Sequence, residues 1–135
     1  MHFDTNVIIV SLSESGDQDI KFIVSDCIEH NNAFISDIVI AEVLAYSGYT
    51  DIEIKNIKDF LINNFNIVAI ESRQVFKASE IARDKKIKTG KRLKLTDAII
   101  AATAIQYNKA LFTLDKEDFN NIPDLQIYNH SKDFL

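Results

Sequence analysis

The sequence predicts an α/β fold, a three-layer αβα domain around a mostly parallel central sheet of four to five strands. Short apolar runs suited to strands recur at His2-Phe3, Ala33-Phe34-Ile35, Ile67-Val68-Ala69-Ile70 and Ala110-Leu111-Phe112-Thr113. Between them lie stretches of about ten to fifteen residues with apolar side chains at helical spacing, the pattern of βαβ units with right-handed crossovers. No internal repeat, low-complexity tract or Pro/Gly-rich linker divides the chain, so residues 1–135 are expected to form a single domain.

The first strand exits at Asp4 into a short helical turn over Thr5-Asn6-Val7-Ile8-Ile9, which the loop Ser13-Glu14-Ser15-Gly16 ends. Asp17 and Asp19 then stand where the positive end of a helix favours carboxylates, ahead of the stripe Ile20, Ile23, Val24, Cys27 and Ile28. The strand at 33–35 leads through Ser36, a residue type suited to an N-cap, into a helix over 36–46 that stops near Gly48. Ile54, Ile57, Phe60 and Leu61 predict a helix from about residue 52 to 64, followed by the strand at 67–70. Ser72 is expected to cap a helix through Lys85, whose Val75, Ala78, Ile81 and Ala82 form one face. The segment 85–94 interrupts the apolar pattern with six basic residues and is expected to be a surface loop. Asp97 opens the helical run Ala98-Ile99-Ile100-Ala101-Ala102-Thr103-Ala104, which precedes the strand at 110–113. After Pro123, Leu125-Gln126-Ile127-Tyr128 can add a fifth strand.

A chain of 135 residues with 47% hydrophobic content can bury about two thirds of its unfolded surface. Its net charge of −5 excludes a protein held on nucleic acid by overall positive charge, so any such binding needs a local basic patch. Lys88, Lys91, Arg92 and Lys94 are the candidates for phosphate contact, against the ordinary alternative of a solvated charged face. Cys27 is the single cysteine, excludes an internal disulfide and reads as a small core hydrophobe. His2, His30 and His130 share no motif, and structural zinc has no CxxC or HExxH pattern to hold it. No apolar run approaches the roughly 18 residues needed to cross a bilayer, and the N-terminus is no signal peptide, so a cytoplasmic protein without membrane partner is expected.

Four carboxylates stand where this topology aims side chains at one edge of the sheet. Asp4 and Asp115 follow strands, and in a parallel sheet both exits lie on the carboxyl edge, where open α/β folds place ligands. Asp97 begins a helix that precedes a strand, so its helix start lies at the same edge. Glu42 lies within about two turns of its helix start and among apolar neighbours, which calls for a partner or a cation. Taken singly, each acid has an ordinary explanation as a helix start or a solvated turn; together they suggest a metal site. Two carboxylates about 6 Å apart repel by roughly 3 kcal/mol at an effective dielectric near 20. Such a cluster must raise its own pKa values or recruit a hard cation, Mg²⁺ or Mn²⁺.

The segments Phe3-Asp4-Thr5-Asn6, Ser36-Asp37-Ile38-Val39-Ile40-Ala41-Glu42-Val43-Leu44, Thr96-Asp97-Ala98-Ile99-Ile100-Ala101-Ala102-Thr103-Ala104 and Leu111-Phe112-Thr113-Leu114-Asp115 resemble the PIN-domain family. They are most like its VapC-type toxins of bacterial and archaeal toxin–antitoxin pairs. The resemblance covers essentially the whole chain in the right order. It implies an Mg²⁺- or Mn²⁺-dependent endoribonuclease acting on RNA, often a homodimer, silenced by a small antitoxin protein. Asp4, Glu42, Asp97 and Asp115 match the acidic quartet, and Asn6 and Thr113 match polar positions that support it. The family varies at the fourth acid, where Asp118, one helical turn from Asp115, is the other candidate. Housekeeping RNA-processing nucleases of the family share the same acids, and an inactive PIN-like module binding RNA or protein is a further alternative. A phosphatase using Asp4 as nucleophile in the haloacid-dehalogenase manner wants a second Asp two residues on, where this chain has Asn6.

Overall fold

Strand runs of two or three residues alternate with longer helices, and the computed structural model describes them over residues 1–130. In chain order the elements are β1 (His2–Phe3), α1 (Thr5–Leu12), α2 (Gln18–Glu29), β2 (Phe34–Ser36), α3 (Asp37–Ala45), α4 (Asp51–Asn64), β3 (Asn66–Val68), α5 (Ser72–Thr89), α6 (Leu95–Gln106), β4 (Leu111–Phe112) and α7 (Lys116–Phe119). The strands form one sheet in the order β3-β2-β1-β4, every pair parallel. His2 pairs with both Phe34 and Leu111, so the carboxyl ends of β1, β2 and β4 lie level. The chain moves from β1 outward to β3 and then returns to the other side of β1. The strand order therefore reverses at β1 and β4, and a parallel sheet has its ligand crevice at that point.

Strands this short stabilise little by themselves, so the sheet depends on what packs over it. Phe3 is fully buried, edge-on to Phe65 with centroids 6.1 Å apart and tilted against Phe112 at 6.1 Å. Val7 and Ile8 of α1, Val39 and Val43 of α3, and Ala98, Ile100 and Ala101 of α6 are fully buried against this core. Helices α5 and α6 pack along each other, and the buried Gln74 joins them. Its amide donates to the Thr103 hydroxyl at 3.4 Å and the Ala69 carbonyl at 3.3 Å, while its oxygen accepts from the Glu71 N–H at 2.6 Å. Among the described residues, no helix is long and apolar enough to cross a membrane.

Four local expectations need correction. The basic segment is not a loop from residue 85 onward: α5 continues to Thr89 and stops at Gly90, whose φ of 74° takes the left-handed conformation that glycine adopts without strain. The expected fifth strand is reduced to one parallel bridge, Leu111 to Ile127. Glu71 rather than Ser72 is the N-cap of α5, whereas Ser36 is the N-cap of α3 as expected, without a side-chain capping bond. The short helix α7 stands where a turn was expected after Asp115.

Candidate metal centre

At the switch point Asp4 leaves β1 in extended conformation and caps α1. It is 4% exposed, and both of its oxygens are engaged. Oδ1 accepts from the Thr5 N–H at 2.7 Å, and Oδ2 accepts from the Thr113 hydroxyl at 2.8 Å. The same Thr113 oxygen accepts from the Asp115 N–H at 3.1 Å, so one buried side chain ties the exit of β4 to the exit of β1. Asn6 clamps this join from α1. Its Oδ1 accepts from the Leu114 N–H at 3.2 Å and its Nδ2 donates to Asp115 Oδ2 at 3.1 Å. Across the crevice, Thr5 Oγ1 donates to Glu42 Oε1 at 2.7 Å, linking α1 to α3. Asp97 lies in the first turn of α6, where the helix dipole favours a carboxylate.

Packing α1 against α3, and α3 against α6, brings these acids within Coulomb range. Burial pushes the Asp97 carboxyl up to about 6, and the charges of Asp4 and Glu42, with Asp118 beyond them, push the same way against Lys94. Asp4 is also raised, first by burial and less by the charges of Glu42 and Asp115, while its bonds from Thr113 and Thr5 favour the ionised form. Glu42 and Asp97 are half-buried, and Asp115 and Asp118 are exposed. Asp115 acts on Asp4 and Asp118 acts on Asp97, so the two candidates for the fourth acid address different members of the cluster.

Among the described residues, no three acidic, His or Cys side chains converge closely enough to share an ion as they stand. The donor set is nonetheless all oxygen, partly desolvated and mutually repulsive, a chemistry that fits a hard divalent cation.

The basic candidates divide. Lys91, Arg92 and Lys94 line a cleft of about 180 Å³ together with Asp97 and Asp118. Lys88 lines a different hollow, with Lys77, Glu80 and Asp84. Two residues given no role by the sequence pattern take part in the site's framework. Thr5 bonds to both Asp4 and Glu42. The Lys85 ammonium donates to the carbonyls of Glu117 and Asp118 and so pins α7 to α5. The signal for Thr5 was its place directly after Asp4; Lys85 carries no local signal, because its partners lie 32 and 33 residues away.

Residues 1–125 match the PIN domain family. The chain belongs to the PIN-domain family. Similar solved structures span nearly its full length. One is in a toxin–antitoxin complex from Klebsiella pneumoniae, with 29% identity, a TM-score of 0.70, and coverage of 96% of this chain and 98% of that one. VapBC2 from Rickettsia felis, bound to a DNA fragment from its promoter, gives 22% identity and a TM-score of 0.79 over 96% and 97% of the two chains. FitAcB from Neisseria gonorrhoeae gives 23% and 0.76 over 95% and 96%. At those last two identities the likeness shows a shared fold. No curated protein matches the chain.

Proposed function

We propose that this PIN-domain protein is an Mg²⁺- or Mn²⁺-dependent endoribonuclease and the toxin of a type II toxin–antitoxin pair. The observation that carries the nuclease reading is the gathering of Asp97 with Asp4 and Glu42, where burial first and then the charges of those two acids raise its carboxyl to about 6. Asp4, Asp97 and Asp115 are the proposed ligands, with Glu42 as a further ligand or as the base that takes a proton from the attacking water. A bound divalent cation would lower the pKa of water and neutralise charge on the phosphoryl oxygens. Thr113 and Asn6 fix Asp4 and Asp115 against mutual repulsion. Lys91, Arg92 and Lys94 supply positive charge beside Asp97, which would offset the repulsion between an RNA phosphate and the carboxylates. Attack by water with departure of the 3′-oxygen leaves 5′-phosphate and 3′-hydroxyl ends.

The match to a chain of a toxin–antitoxin complex over nearly the full length of both supports a small antitoxin as partner, and a homodimer is the proposed assembly. The test is cleavage of single-stranded RNA in Mn²⁺ or Mg²⁺, with EDTA as control. Asp4→Asn and Asp97→Asn are each expected to abolish cleavage while leaving the melting temperature in EDTA unchanged or higher. Cleavage in EDTA, or full activity in either variant, would overturn the metal-nuclease reading. The toxin role is tested by the neighbouring gene. A short frame encoding a DNA-binding segment and an amphipathic tail is expected, and its product should suppress cleavage; a product that leaves cleavage intact counts against the pair.

A further inference from the structure

Thr5 donates to two different acids of the cluster, through its backbone N–H to Asp4 and through its hydroxyl to Glu42. A threonine hydroxyl has a single hydrogen, and here it is spent on Glu42 Oε1 at 2.7 Å, the short distance of a charge-assisted bond. The β-branch restricts the side chain to few rotamers, and the first turn of α1 fixes its backbone, so the donor is held at one point in the crevice. Glu42 has no other hydrogen-bond donor among those found in the described residues. Left alone, its three-bond side chain, on the half-buried face of α3, would swing away from the like charges of Asp4 and Asp97.

We propose that Thr5 is the positioning residue that keeps Glu42 inside the carboxylate cluster, and thereby sets the affinity of the site for its divalent cation. This rests on the metal-nuclease reading above. The hydroxyl supplies what repulsion between the acids denies, a neutral donor that lets Glu42 stay near Asp4 before any cation arrives. Residues in this supporting position typically change metal affinity by about 10–100-fold when removed.

The experiment is Mn²⁺ titration by calorimetry on the intact protein, alongside RNA cleavage over a range of Mn²⁺ concentrations. Thr5→Val keeps the shape and removes the donor, and is expected to weaken Mn²⁺ binding about tenfold and to raise the Mn²⁺ concentration for half-maximal cleavage in step. At saturating Mn²⁺ its KM for RNA should match the wild type. Thr5→Ser, which restores the hydroxyl, should return Mn²⁺ affinity to within about twofold of wild type. The melting temperature in EDTA reports whether Thr5→Val folds; if it does not, Thr5→Ala takes its place. Combined with Glu42→Gln, the donor-less variant should add no further loss, because the group it positions is no longer an acid. Thr5→Val binding Mn²⁺ like wild type overturns the proposal, as does equal weakening in Thr5→Ser, or losses that multiply in the double variant. Wild-type protein that binds no Mn²⁺ overturns the metal reading itself, and the role of Thr5 with it.

Discussion

Burial moves the protons of Asp97 and His2 in opposite directions, raising Asp97 to about 6 and lowering His2 to about 4. With Asp97 at 3.8 when unfolded, the folded protein binds more protons between about pH 4 and 6, so in EDTA stability falls as pH rises through that window. His2 works the other way. Its unfolded value is 6.5, so the unfolded chain binds the extra proton between about pH 4 and 6.5, and stability falls as pH falls. The two slopes oppose each other in the wild type, with the raised Asp4 acting in the same direction as Asp97, and removing either residue tips the balance. Asp97→Asn should make the protein more stable at pH 7 than at pH 5, measured by urea unfolding in EDTA. His2→Leu should reverse that order. Both His2 ring nitrogens are buried with no hydrogen-bond partner among the described residues, so His2→Leu is also expected to stabilise by about 1 kcal/mol at pH 7. An unaltered pH slope in Asp97→Asn would show that Asp97 ionises in the ordinary carboxylate range.

Helix boundaries follow from caps more than from apolar spacing. Thr50 and Glu53 form a reciprocal capping box at the start of α4, with Glu53 N–H to Thr50 Oγ1 at 3.2 Å and Thr50 N–H to Glu53 Oε1 at 3.1 Å. Thr50→Ala should therefore lose about 1 kcal/mol in thermal or urea unfolding, without changing Mn²⁺ binding. A loss near zero would mean that packing of Ile57 and Leu61 alone holds the helix start. Apolar periodicity placed α4 within a residue of its true start, but misplaced the end of α5. The run of lysines there looked like a loop because it lacks an apolar face; lysine is a good helix former, and Lys86 and Lys88 suit the negative end of the dipole. Helix α7 was invisible, since one turn of four residues cannot show a period. The strand expected at 125–128 became a single bridge, because the edge it pairs with is the two-residue β4.

At the scale of the whole molecule, a net charge of −5 must be overcome locally if RNA is to reach the acids. The logarithm of RNA affinity should fall linearly with the logarithm of salt concentration, and Arg92→Ala or Lys94→Ala should each reduce that slope by about 0.7, the single-strand value per phosphate. Lys88→Ala should not, because Lys88 lines a different hollow; an equal reduction would place the RNA path over α5. The order of residues by itself determined the alternation of strands and helices, and with it the edge to which Asp4, Glu42, Asp97 and Asp115 are carried, because periodicity and strand exits are local properties of a chain. Only the tertiary structure decided how those acids are held. The Thr5 bond to Glu42 spans 37 residues and the Asn6 and Thr113 bonds span 109, and such pairings exist only after helices and strands have packed. The same packing excludes water from Asp97, and that exclusion is the first cause of its raised pKa.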